Sequence, residues 1–230
     1  MNTSSLRFIA SIALHELRSL AVNPSMAATA IILLIFSWMF TDFFHFFESF
    51  SAPFLCQLGA CCIGGIGIVC VLAEENERGS LETLFLANVS RTDIALGKTI
   101  ACIVASELIC FICSLIIVRS ALVALEITLL LMFTTIPVSL VSVAIGLHLN
   151  DQQRASSWGS PILFIGVITA AMEVVIDISP WVLPTGAAPE LIDTLIFGNA
   201  TAVSPSITAV IGLVYCIIAA IALILSIRKK

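Results

Sequence analysis

The chain has 230 residues, 60% of them hydrophobic and only 11% charged, with a formal net charge of −5 and a mean hydropathy of +1.13. A soluble domain is about 45–50% apolar and about 25% charged, so this composition excludes a water-soluble globule and specifies an integral, all-α, polytopic membrane protein. In such a chain the placement of charge carries more information than its sum.

The N-terminal stretch MNTSSLRFIASIALHELRSLAVNP predicts an amphipathic helix over 4–21 lying in the membrane interface. Arg7, Ser11, His15 and Arg18 recur on one narrow face, and Leu6, Ile9, Ala13, Leu14 and Leu17 fill much of the rest. The apolar stretch Phe8–Leu14 is short, and no small-residue cleavage site follows cleanly, so it does not read as a secretory signal. Pro24, after Asn23, ends the helix.

A membrane helix needs about 20 mostly apolar residues. Six stretches qualify, at about 25–46, 53–73, 99–118, 127–148, 160–178 and 205–227. Backbone polar groups in lipid must be satisfied within the segment, so these are helices. The first ends in Trp38, Phe43, Phe44, Phe46 and Phe47, an aromatic cluster suited to an interface. Gly59, Gly64, Gly65 and Gly67 in the second suggest close helix–helix approach. Pro137 and Pro161 fall inside or at the start of spans, where proline is tolerated. With six spans, Arg7, Arg18, Arg78, Arg91, Lys98, Arg154, Arg228, Lys229 and Lys230 fall on one side and only Arg119 on the other, which puts both termini in the cytoplasm. Eight cysteines all lie in hydrophobic runs. Cys61-Cys62 and Cys110-x-x-Cys113 have no His or Asp beside them, so they read as small packing residues rather than a metal site.

Residues 74–98, EENERGSLETLFLANVSRTDIALGK, are the exception to the hydrophobic pattern. The acids that open the segment oppose the dipole of the helix they end, so they are expected either to be solvated or to await basic groups from a partner. Gly79 breaks that helix. Ser80 suits an N-cap, Glu82 the first turn, and Leu81, Leu84 and Phe85 share one face. A two-turn helix is marginal alone and needs something to pack against. Ser90 and Asp93 then fit a capping box that restarts a helix, and Lys98 marks the membrane surface. LGKT (Leu96–Thr99) resembles a phosphate-binding loop, but position 92 is Thr where the motif requires Gly.

Glu107 lies midway along the third span, where an ionisable group costs a few kcal/mol or more and points to a function. It has two readings: a path or subunit-interface residue, or a protonated acid hydrogen-bonded between helices. Glu173, one turn before Asp177, lies nearer the outer end of the fifth span. Residues 149–161 form a short polar second cytoplasmic loop. On the outer side, Pro189 and Gly198 bracket a short helix over 189–198, with an apolar stripe of Leu191, Ile192, Leu195 and Ile196. Such a helix is expected to dip back toward the membrane. Asn199-Ala200-Thr201 matches the glycosylation pattern. No internal repeat or long linker divides the chain, so 1–230 reads as one domain.

The polar segment resembles the first cytoplasmic loop of ABC transporter permeases of the type-2 exporter family, which run E-x-E-x-G-[ST]-L-E-x-L, then P-V-S-R, then G-K. Glu75, Glu77, Gly79, Ser80, Leu81, Glu82 and Leu84 match the first part, and Val89, Ser90, Arg91, Gly97 and Lys98 the rest. Asn88 stands where the family often has Pro. The six spans, the interfacial helix and the outer helix are also similar. The resemblance implies that this loop is a coupling helix docking on a separate ATPase subunit, through Glu75, Glu77, Gly79, Ser80, Leu81, Glu82, Leu84, Phe85 and Arg91. It implies a second permease copy or a related permease as partner in the bilayer of a bacterial plasma membrane. ATP and magnesium would be bound by the ATPase alone, and this chain would hold no cofactor or metal and perform no catalysis. No nucleic-acid partner is expected. The apolar spans favour a hydrophobic or amphipathic substrate, such as a peptide, drug or lipid-like molecule. Permeases of this type also serve haem export and bacteriocin self-protection, and a membrane scaffold or sensor without transport is the reading from another class.

Overall fold

A computed structural model of the chain describes residues 3–43, 48–80, 89–149, 151–175, 185–198 and 204–228. The elements among them are helical: α1 (Thr3–Val22), α2 (Pro24–Trp38) running into a wide π-helical turn (Met39–Phe43), α3 (Glu48–Gly59), a π-helical segment (Ala60–Gly67), α4 (Ile68–Glu77), α5 (Arg91–Val118), α6 (Ala121–Gly146), α7 (Gln152–Val175), α8 (Ala187–Leu195) and α9 (Pro205–Arg228).

Five helical stretches among the described residues are long and apolar enough to cross a membrane: Pro24–Phe43, Ser51–Glu77, Arg91–Val118, Ala121–Gly146 and Pro205–Arg228. They coincide with the first four and the last of the six predicted spans, with differences at the ends. The third begins at Arg91, because the helix restarted by Ser90 runs into the span without a break. The fourth begins at Ala121 and stops at Gly146. The predicted fifth span falls on α7, which is helical from Gln152 to Val175.

Burial orders the bundle. In its most apolar stretch the second span is 78% buried, against 11% for the first and 17% for the last. The second span is therefore central, and α2 and α9 are peripheral. Ile31, Ile32 and Ile35 of α2 and Val210, Ile217 and Ile221 of α9 face outward, as side chains facing lipid would. The most extensive packing is α5 against α6, then α6 against α9 and α1 against α5.

Local chemistry sets the breaks. Asn23 Oδ1 accepts the Ser25 N–H at 3.0 Å, and Pro24 occupies the first turn. This is an N-cap that lets the chain turn from α1 into α2. The buried stripe of α1 is Ile9, Ala13, Glu16 and Leu20, while Leu6, Phe8 and Leu14 are exposed. The predicted polar face of Arg7, Ser11, His15 and Arg18 is exposed throughout.

The short helix α8 starts after Gly186, so Pro189 falls in its first turn. Leu191 and Ile192 are buried, whereas Leu195 is exposed. Thr134 Oγ1, halfway along α6, donates to the Thr185 carbonyl at 3.2 Å. The residue just before α8 is therefore tied to the middle of α6. Gly198, at φ +70°, lies just past the helix. Phe44, Phe46, Phe47, Asp177 and Asn199–Thr201 lie outside the described residues.

Candidate functional site

The polar segment is described at its two ends, 74–80 and 89–98. Leu81, Glu82, Leu84 and Phe85 lie outside the described residues. Helix α4 runs on to Glu77. Arg78 and Gly79 turn away, their N–H groups bonding back to the carbonyls of Glu74 (3.0 Å) and Asn76 (3.2 Å). Gly79 sits at φ +71°, a left-handed conformation that favours glycine and ends helices. The Ser80 hydroxyl donates to the Glu75 carbonyl at 3.1 Å, back onto the end of α4. At the far end the Ser90 hydroxyl accepts the Asp93 N–H at 3.1 Å, the first half of the capping box. The Asp93 carboxylate accepts a hydrogen bond from Ser5 of α1 at 2.6 Å. Arg91, half-buried, is the first residue of α5.

Three consecutive residues at the end of α4 reach three different neighbours, because successive helix positions are about 100° apart. Glu75 reaches α5: its carboxylate lies 2.8 Å from Lys98 Nζ. Asn76 reaches the end of α6, where its Nδ2 donates to the carbonyls of Leu149 (2.7 Å) and Gly146 (3.3 Å). The Gly146 carbonyl also accepts the Leu149 N–H at 3.3 Å, so Asn76 adds a second donor to a helix end whose last carbonyls lack the regular intrahelical bond. Glu77 Oε2 accepts the N–H of Gln152, the first residue of α7, at 3.4 Å.

Lys98 does not mark a wet surface. It is 1% exposed and donates to Glu16 Oε2 of α1 at 2.8 Å as well as to Glu75. The Lys98–Glu16 pair is almost fully enclosed, with both side chains 2% exposed, and Glu75 closes the triad at 25%. Glu16 Oε1 has no protein partner. Gly97 makes this approach possible. A Cβ there would stand 2.8 Å from Ile12 Cγ2 and 3.1 Å from the Ile9 carbonyl oxygen, so α1 lies against the backbone of α5. The expectation that the opening acids are solvated or await a partner is therefore corrected for Glu75, whose counter-charge is within the chain. Glu74, half-buried, pairs with exposed Arg78 one turn on, at 2.5 Å.

Glu16, Asn76 and the burial of Lys98 were not in the predicted site. Glu16 had a signal in the sequence: it shares the spacing of Ile9, Ala13 and Leu20, an acid on an apolar stripe. Its partner lies 82 residues away, beyond any local pattern.

Deeper in the bundle, Glu107 lies on the buried side of α5, 9% exposed, and accepts a hydrogen bond from the Thr135 hydroxyl of α6. This hydrogen bond ties α5 to α6. Glu173 lies on α7, and its side chain is outside the described residues. Among the described residues, the structure does not bring Glu107 together with the ends of the polar segment. Cys61, Cys110 and Cys113 are buried, and Cys62 is half-buried. Cys110 Sγ donates to the Cys56 carbonyl at 3.1 Å, so this pair helps to pack α3 on α5. Among the described residues no three His, Cys, Asp or Glu side chains group as metal ligands. No family model matches the chain, and no curated protein matches it.

Proposed function

We propose that this chain is the membrane subunit of an ATP-driven exporter similar to the small type-2 ABC permeases, and that residues 81–88 receive a separate ATPase subunit. With α7 as a sixth crossing, the nine basic residues share one face, both termini are cytoplasmic, α1 lies in the cytoplasmic interface and α8 enters from outside. A second copy or a related permease completes the membrane part.

One observation carries this reading beyond the motif. The two helices that leave the 81–88 segment are each tied to other elements: α4 to α5, α6 and α7 through Glu75, Asn76 and Glu77, and α5 to α1 through Lys98–Glu16. A push on the loop is delivered to five helices at once, α4 and α5 directly and α1, α6 and α7 through them, which a solvated surface loop does not need. A cleft of about 280 Å³ between α6, α7 and α9, lined by Val138, Val141, Ile162, Ile165, Ile218 and Ala222 among others, is the kind of wall a hydrophobic or amphipathic cargo requires.

The test co-expresses the chain with a candidate ABC ATPase subunit, sought first among the neighbouring genes. Glu82→Ala and Leu84→Asp are expected to weaken co-purification of the ATPase or to uncouple ATP turnover from transport. Unchanged pull-down and turnover would sink the coupling reading and favour a scaffold or sensor.

A further inference from the structure

In the middle of the bundle a group of polar side chains is buried where the second, third and fourth spans meet. Ser106 and Ser139 are 0% exposed and Glu107 is 9% exposed. Ser106 Oγ, Ser139 Oγ and Glu107 Oε2 are all enclosed without a protein partner. The three belong together. Ser106 and Glu107 are neighbours on α5. Thr135, which donates to Glu107, is one helical turn from Ser139 on α6. Both serine hydroxyls also crowd Gly64: a Cβ there would stand 2.7 Å from Ser106 Oγ and 3.0 Å from Ser139 Oγ. Gly64 lies in the π-helical segment Ala60–Gly67, and wide turns of this kind occur frequently at functional sites.

A buried polar atom left unsatisfied is costly, and two against Gly64 with a third on the adjoining residue of α5 would be an unfavourable way to pack a helix interface. An apolar trio of the same size would do so at no such cost. Buried water makes about three hydrogen bonds to groups of this kind. We propose that Ser106, Ser139 and Glu107 seat internal water against Gly64, and that Glu107 is held there as a neutral acid whose proton exchanges through that water. The ligand is water and the group it serves is a single intramembrane carboxyl. The lack of a Cβ at Gly64 lets both serine hydroxyls approach the π-helical segment, Thr135 fixes one carboxyl oxygen, and the serines hold the water on the other. This inference stands on the packing alone and does not depend on the exporter reading.

The test is infrared difference spectroscopy on the intact purified chain, transferred from H2O to D2O. Glu107→Gln identifies the band of the Glu107 carboxyl by its loss, and Glu107→Asp does so by a shift if the glutamine variant does not fold. The expected result is a protonated-carboxyl band that shifts promptly in D2O, with prompt exchange lost in Ser106→Ala/Ser139→Ala. That double variant should also melt lower than the native chain, whereas removing two unpartnered hydroxyls would leave melting unchanged or raise it. Absence of any protonated-carboxyl band assignable to Glu107 overturns the neutral acid. A band that does not exchange overturns the water. Exchange that stays prompt without the two hydroxyls overturns the seat.

Discussion

Two ion pairs sit at opposite ends of α5, and they differ in every respect but sign. At one end Lys98 is enclosed between Glu16 and Glu75, with the Lys98 and Glu16 side chains 2% exposed. At the other, Arg119 pairs with Asp42 at 67% and 39% exposure. Breaking an enclosed pair strands a charge, which costs about 3–5 kcal/mol. Breaking an exposed pair exchanges one solvated contact for water, at about 0–1 kcal/mol. The first therefore fixes which helices touch, and the second decorates a helix end. The difference follows from neighbours rather than residue type: Gly97 lets α1 cover Lys98, and among the described residues nothing comparable covers Arg119.

The strongest way to break the comparison is Lys98→Met. Two carboxylates then face each other with no cation between them, and the detergent-solubilised protein is expected to lose about 3–5 kcal/mol, read as a large fall in melting temperature. Neutralising the carboxylates as well, with Glu16→Gln and Glu75→Gln, is expected to recover most of the loss, because the penalty lies in the stranded charge. A Lys98→Met protein that melts like the native one would show that the triad fixes nothing.

A smaller effect sharpens the role of α1. In Gly97→Ala the new methyl meets Ile12 at 2.8 Å and the Ile9 carbonyl oxygen at 3.1 Å. Overpacking of this kind costs about 1–3 kcal/mol. Because it lifts α1 away from Lys98, tryptic cleavage at Arg7 and Arg18 should accelerate. Its effect should also be less than additive with Lys98→Met, since both act on one contact. Unchanged proteolysis would mean that α1 does not lie on α5.

Five of the six predicted spans, the break at Asn23–Pro24 and the helix restart at Ser90 were legible because each depends on neighbours in sequence: an apolar run, an N-cap, a proline, a hydroxyl three residues before the N–H it binds. Lys98 was legible as a charge beside a span but not as a buried one. Whether a lysine at a helix start is wet depends on what lies over it, and the cover comes from Ile9 to Glu16 at the other end of the N-terminal half. Asn76 had no sequence signal at all, because an asparagine between two glutamates looks like one more polar residue. Its use as a cap for α6 depends on where Gly146 and Leu149 fall. The third span's Glu107 stood out as an acid in an apolar run, yet its partner Thr135 is one of two adjacent threonines on α6, and only the rotation of that helix selects it.

The smallest effect is the cleanest test of burial. Arg119→Gln removes the pair with Asp42 and is expected to cost no more than about 1 kcal/mol, a cost that shrinks further as salt is raised. Arg119 also holds φ +56° at the end of α5, a left-handed conformation that disfavours a side chain by about 1–2 kcal/mol. Arg119→Gly therefore loses the pair but relieves the backbone, and should melt at or slightly above the temperature of Arg119→Gln. If instead Arg119→Gln destabilised the protein as much as Lys98→Met, enclosure would not be what separates the two ends of α5. The covering of Lys98 by α1 would then have no energetic meaning.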